Sequence, residues 1–101
     1  MEIFKQLSKK GYKHYYEGTV EELDSMDKDN QHLHSEIMQV IMWLYETHEI
    51  WISVDRHFDK FISKNNGVLI TFYGNRKSYF DTPTEAYSSA IEYCLTKIEL
   101  K

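Results

Sequence analysis

The sequence predicts an α+β domain in which a three-stranded antiparallel sheet carries two helices on one face, in the order α-β-β-β-α. Three observations lead to this fold: a long helical period over residues 31–47, alternating apolar residues in 50–55 and 68–73, and a capped helix that begins after Thr82. Turn-rich connections between the strands favour antiparallel pairing. With 101 residues, we expect one domain, in which residues 1–30 form an N-terminal arm with short helices and residues 31–101 form the core.

The N-terminal arm contains local signals for two short helices. Residues 2–9 predict a helix that stops at Gly11, and the aromatic segment 12–17 predicts either an edge strand or a packed arm. Thr19-Val-Glu-Glu22 matches a capping box, in which the threonine hydroxyl and the glutamate carboxylate each satisfy a free backbone N–H group. Asp29 or Asn30 can then cap the main helix.

The main helix is predicted to be apolar over an arc about twice as wide as one packing contact needs. The arc comprises Leu33, Ile37, Met38, Val40, Ile41, Met42, Leu44 and Tyr45. The polar side comprises His32, Ser35, Glu36, Gln39 and Glu46, with Trp43 among them. We therefore expect this helix to contact two layers, one of which is the sheet and the other either the N-terminal arm or another subunit.

The second half of the chain alternates between strand and turn signals. Residues 50–55 and 68–73 predict strands, Asn65-Asn-Gly67 predicts a turn, and residues 78–81 predict a short strand after a second turn at 74–77. Residues 56–67 are ambiguous between an extension of the first strand and a helical turn. Thr82, Pro83 and Glu85 predict a second capping box at the start of the final helix, which runs to Ile98.

The predicted sheet leaves an apolar face without a helix to cover it. Trp51, Leu69, Thr71 and Tyr73 point away from the helical side, and exposed faces of this kind are rarely left in contact with water. Either the Tyr-rich arm, a second copy or a ligand would have to cover them. The candidate interaction residues are Met38, Met42, Trp51, Leu69 and Tyr73.

The charged residues are unevenly distributed along a chain of net charge −4. Acidic residues dominate segment 17–29, and basic residues dominate segment 56–77, where they alternate with aromatic residues. Such a mixture can combine phosphate contacts with base stacking, so nucleic-acid binding through the basic 56–77 loops is an alternative function. Its candidate residues are Arg56, Lys60, Lys64, Arg76 and Lys77.

The sequence offers no pattern typical of catalysis, metal binding or a cofactor. Histidine spacing does not match a zinc motif, the acidic loop lacks the glycine and final glutamate of a calcium loop, and no nucleophile stands beside a recognisable base. Cys94 is the single cysteine, which excludes an internal disulfide and favours a cytoplasmic location. No apolar run approaches the roughly 18 residues of a membrane span, so we expect no membrane association.

Two resemblances add to this interpretation. Met42-Trp-Leu-Tyr-Glu-Thr-His-Glu-Ile50 and the segment 80–95, from Phe-Asp-Thr-Pro to Tyr-Cys-Leu, resemble parts of small uncharacterised proteins of bacterial phages and mobile elements. The element order of residues 31–98 also resembles the double-stranded RNA-binding fold. That family grips phosphates with lysines at the start of its second helix, and the matching stretch here, 82–89, has none.

These observations together favour a small cytoplasmic, non-enzymatic protein–protein interaction module. Its excess of apolar surface indicates a homodimer, while another protein partner would also satisfy it. Nucleic acid is the less favoured partner, because the chain is acidic overall.

Overall fold

Four helices and an antiparallel sheet make up the part of the chain that the computed structural model describes, residues 3–70 and 79–99, with backbone alone for 68, 69 and 97–99. The elements in chain order are α1 (Ile3–Lys9), α2 (Val20–Ser25), α3 (Gln31–His48), β1 (Ile52–His57), β2 (Lys60–Asn65), β3 (Val68–Leu69) and α4 (Pro83–Glu99). The predicted α+β class is confirmed.

The helix starts follow the capping signals in the sequence. The Thr19 hydroxyl accepts a hydrogen bond from the Glu22 N–H at 3.1 Å, and the Glu22 carboxylate accepts one from the Thr19 N–H, so the first capping box is confirmed. Asn30, and not Asp29, caps α3 by accepting from the His32 N–H at 2.8 Å. Thr82 likewise accepts from the Glu85 N–H at 3.2 Å, but the Glu85 carboxylate forms an ion pair with Lys28 at 3.0 Å.

The sheet is built on a hairpin that the sequence left ambiguous. Strands β1 and β2 pair antiparallel from Ile52↔Asn65 to His57↔Lys60. Residues 56–57 therefore extend the first strand and residues 60–65 form a second one, so neither predicted alternative, an extended first strand or a helical turn, describes 56–67 in full. Asn66 (φ 52°) and Gly67 (φ 82°) form the predicted turn, because both occupy the left-handed region that Asn and Gly tolerate. The two-residue β3 then pairs with the other edge of β2.

The full extent of the predicted third strand stays a prediction. Most of its residues, 71–73, and the turn at 74–77 lie outside the described residues. Near the predicted segment 78–81, Phe80 forms an isolated antiparallel bridge with Phe61. This bridge and the Ser63 hydroxyl, which donates to the Ala86 carbonyl at 2.8 Å, attach β2 to the start of α4.

The buried core draws on the N-terminal arm as well as on residues after 30. Helix α4 lies against β1 and β2, while α3 and α1 contact α4, and α1 and α2 contact each other. The largest fully buried side chains are Ile3, Phe4, Leu7, Leu23, Leu33, Ile37, Val40, Leu44, Ile52, Ile91, Cys94 and Leu95. The two short N-terminal helices are held together by Asp24, whose carboxylate accepts from the Phe4 N–H at 2.9 Å and the Lys5 N–H at 3.1 Å.

Candidate interaction surface

A row of half-exposed apolar side chains runs along the outer side of α3 and continues to Trp51, the residue just before β1. Met38, Met42 and Tyr45 follow one another at four- and three-residue spacing, which places them on one line of the helix surface. Trp51 packs edge-on against Tyr45, with ring centroids 5.5 Å apart. These four side chains, each between 43% and 52% exposed, are called the α3 row below.

The row borders a groove at its N-terminal end. This groove has a volume of about 430 Å³ and lies between α3 and the first turns of α4. Its apolar lining comes chiefly from Ile37, Met38, Pro83 and Tyr87, and its rim from Lys28, Asp29, His34, Thr82 and Thr84. The Lys28 ammonium is held by Glu85, and this hydrogen bond raises the Lys28 pKa.

The side of α3 predicted to be polar is covered by the aromatic arm at Glu36 and Trp43 and exposed at its other polar residues. Glu36 is only 2% exposed and accepts hydrogen bonds from the Tyr12 hydroxyl, the Tyr15 N–H (3.0 Å) and the Tyr16 N–H (2.8 Å). The prediction that Glu36 lies on the solvent-exposed side of α3 is therefore wrong, because three donors from residues 12–16 replace the water molecules that would hydrate its carboxylate. Burial and the bond to Glu36 together raise the pKa of Tyr12 far above its ordinary value.

Trp43, predicted to lie among the polar residues of α3, is half-buried in the same arm contact. Its ring packs edge-on against Tyr12 at 5.4 Å and against His48 at 5.1 Å. The arm thus occupies one of the two layers expected around α3. It leaves the α3 row open on the other side, since Met38, Met42 and Tyr45 remain half-exposed.

The structure places three of the five sequence-predicted interaction residues in this surface or next to it. Met38, Met42 and Trp51 belong to the α3 row. The backbone of Leu69 lies in β3, on the opposite edge of the sheet from β1, and its side chain is outside the described residues. Tyr73 also lies outside the described residues. Tyr45, which the sequence placed on the apolar arc but not among the candidates, completes the row.

The basic residues of the alternative function are engaged within the chain. Lys60 pairs with Asp81, which raises the Lys60 pKa, and Lys64 pairs with Asp55 at 2.7 Å. The Arg56 side chain donates through Nε to the Phe58 carbonyl at 2.9 Å. Arg76 and Lys77 lie outside the described residues.

The tip of the β1–β2 hairpin is an exposed feature that the sequence interpretation missed. Phe58 is 85% exposed and occupies the left-handed region with φ 57°, where a bulky side chain is unusual. His57 packs between Phe58 and Tyr79, with centroids 4.8 Å and 5.6 Å away. Phe58-Asp59 lacks the Gly or Asn that marks a two-residue turn, so local sequence signals do not predict this tip.

No family model, curated protein or solved structure matches this chain. Function must therefore be argued from the α3 row, the groove and the hairpin tip themselves.

Three further observations concern metal ligands, membrane crossing and the cysteine. Within residues 3–70 and 79–99, no group of three or more His, Cys, Asp or Glu side chains is arranged to hold a metal ion. None of the helices described there combines the length and apolarity required to cross a membrane. Cys94 is a buried free thiol on α4.

Proposed function

We propose that this protein is a non-enzymatic interaction module that self-associates through the α3 row. The observation that carries the proposal is the continuity of four large apolar side chains, all half-exposed, three on α3 and one at Trp51 just before β1. Scattered exposed apolar residues need no explanation, but contiguous patches mark binding surfaces. The arm that could have covered α3 lies on its other side, where Glu36 anchors it.

The composition of the row suits a protein interface. Aromatic residues and methionine are enriched in such interfaces, and the flexible methionine side chain adapts to an irregular partner. A stable dimer buries roughly 800 Å² on each partner, most of it around an apolar centre with a polar rim. The α3 row supports the role of centre, while Gln31, Ser35 and Glu46 supply exposed polar residues around it.

Sedimentation analysis between about 1 μM and about 1 mM protein tests the proposal, because weak dimers form in this range. We expect a concentration-dependent shift from monomer to dimer. Met42→Lys should weaken the dimer by about tenfold or more, since it places an unpaired charge in an apolar contact. Gln6→Lys adds the same charge to an exposed position of α1, a helix that contributes no residue to the row, and should leave association unchanged. A wild-type chain that remains monomeric at every concentration would overturn self-association.

Single-stranded nucleic-acid binding at the hairpin tip is the second candidate. The observation in its favour is the series of neighbouring rings Tyr79, His57 and Phe58 beside Arg56, since exposed aromatic rings next to a cation can stack bases. The ion pairs of Lys60 and Lys64 count against it, because they neutralise two of the cations it would use. Titration with labelled single strands and duplexes at low salt tests it, and binding should weaken steeply as salt is added.

Three broader proposals come from the sequence. A third strand that continues β3 through residues 68–73 is supported by the alternation of Val68, Ile70 and Phe72. The placement of both long helices on one face is supported by the contacts of α4 with β1 and β2 and of α3 with α4. The single, buried cysteine supports a reducing, cytoplasmic environment. Origin in a phage or mobile element is supported only by the resemblance of residues 42–50 and 80–95.

A further inference from the structure

The two ends of the α3 row differ in shape. The N-terminal end opens into the groove beside Met38, and the C-terminal end projects the aromatic pair Tyr45 and Trp51. Met38 and Tyr45 are seven residues apart, which corresponds to roughly 10 Å along the helix axis. A concave end and a projecting end therefore lie on the same line of the same helix.

The two ends also differ in charge, in the direction opposite to the one a lone helix favours. The first turn of α3 contains no acidic residue and carries His32 and His34, whereas Glu46 and Glu49 lie at its C-terminal end. The helix dipole favours acidic residues at the N-terminus and basic residues at the C-terminus. His48 is the basic residue of the last turn, but its ring packs against Trp43.

Glu49 is unfavourable in a second respect. It is the residue that ends α3 and it adopts the left-handed conformation, with φ 57° and ψ 33°, a position at which glycine is strongly preferred. An exposed glutamate is thus placed where both the backbone and the helix dipole disfavour it. A partner that binds its carboxylate would explain its presence.

We infer that two copies pack with their α3 helices antiparallel across a two-fold axis near Met42, an arrangement that rests on the self-association proposed above. Met42 then faces Met42 of the second copy, and Met38 faces Tyr45. Trp51 of each copy enters the groove of the other, and Glu49 of each copy lies beside His34 of the other. Each copy carries both the groove and the projecting Trp51 ring on one surface, so a two-fold axis allows each ring to enter the groove of the other copy.

Electrostatics favour the same orientation. Antiparallel α3 helices bring the acidic C-terminal end of one copy to the N-terminal dipole and His34 of the other. Asp29 also lies at that end, and Lys28 is paired there with Glu85, so His34, whose Nε2 also contacts the Lys28 carbonyl at 2.6 Å, and the positive end of the α3 dipole provide the attraction. A parallel arrangement would place Glu49 of one copy beside Glu49 of the other, and this electrostatic attraction would be absent.

A charge-swap experiment tests this orientation. His34→Glu and Glu49→Lys should each weaken the dimer by about tenfold. The first places two carboxylates together at both ends of the interface, and the second places a cation against the positive end of the other copy's α3 dipole. The double variant should recover to within about threefold of wild type, since it restores opposite charges. In an equimolar mixture of the two single variants, native mass spectrometry should show heterodimer well above the twofold excess over each homodimer that random pairing gives.

Two more variants distinguish effects on dimer formation from effects on the stability of the monomer. Glu49→Gly removes the strain and the charge together, so it should raise the urea midpoint of the monomer and weaken the dimer. Trp51→Ala should weaken the dimer by about tenfold or more, whereas Phe58→Ala, which truncates the exposed ring at the hairpin tip, should not.

The outcomes distinguish this arrangement from self-association in general. A wild-type dimer that is weakened by Met42→Lys but shows neither charge-swap recovery nor heterodimer preference would overturn the antiparallel arrangement and leave the proposed function standing. A wild-type chain that stays monomeric would overturn both.

Discussion

The contact between Glu36 and the aromatic arm gives the sharpest stability prediction. Tyr12→Phe deletes only the hydroxyl that donates to the buried Glu36 carboxylate. Hydrogen bonds to charged groups contribute about 1.5–3 kcal/mol, so we expect a loss of about 2 kcal/mol in the free energy of unfolding. That is a large share of the roughly 5–15 kcal/mol by which a domain is stable. The ring itself stays buried against Trp43.

Urea denaturation followed by tryptophan fluorescence measures this loss, because Trp43 lies 5.4 Å from the Tyr12 ring. A loss of 2 kcal/mol should lower the midpoint by about 1 M at an m-value of about 2 kcal/mol/M. All variants should be compared at one low protein concentration, since self-association would add apparent stability.

The matched control is Tyr15→Phe. Tyr15 contacts Glu36 only through its backbone N–H, and its side chain is 72% exposed, so the hydroxyl should contribute less than about 0.5 kcal/mol. Combining Tyr12→Phe with Glu36→Gln should give a coupling energy of about 1 kcal/mol or more. If Tyr12→Phe and Tyr15→Phe lower the midpoint equally, Glu36 does not fix the arm in the way described.

Three other perturbations follow from the described contacts. Because the pKa of Tyr12 is raised in the folded state, the unfolded chain loses the Tyr12 proton at a lower pH than the folded chain does. The free energy of unfolding should therefore fall by up to about 1.4 kcal/mol per pH unit above the ordinary tyrosine pKa of about 10. Urea midpoints measured against pH should fall less steeply for Tyr12→Phe than for the wild-type chain. Asp24→Ala removes the acceptor for two N–H groups of α1 and should cost about 1–2 kcal/mol in thermal or urea unfolding, whereas Asp27→Ala in the following loop should cost little. Phe58→Gly relieves a left-handed conformation without loss of a buried side chain and should stabilise the chain by about 1 kcal/mol; a lower unfolding midpoint would show that the ring packs on the domain.

The parts of the fold that the sequence predicted correctly are those determined within a few residues. Thr19, Asn30 and Thr82 cap helices through atoms two or three residues away, so their side-chain chemistry is sufficient to locate three helix starts. The turn at Asn66 and Gly67 is similarly local, because both residues tolerate positive φ.

Strand β2 was missed because its sequence lacks the usual signals. Lys60-Phe-Ile-Ser-Lys-Asn65 alternates poorly, and its fully buried residue is the polar Ser63. Ser63 is accommodated by a hydrogen bond to the Ala86 carbonyl, 23 residues further along the chain. A partner so distant cannot be deduced from the periodicity of a six-residue segment.

The burial of Glu36 under the aromatic arm changes which apolar surface of the molecule is left exposed. Periodicity assigned this carboxylate to water because it cannot reveal donors that arrive from residues 20 to 24 positions earlier. Once the arm is placed on Glu36 and Trp43, it is no longer available to cover Trp51, whose described ring contact is Tyr45. The excess apolar surface that the sequence predicts on the sheet face is therefore found first on α3. That helix presents Met38, Met42 and Tyr45 beside Trp51, and the described residues leave each of these side chains between 43% and 52% exposed, which is the surface that the proposed second copy would cover.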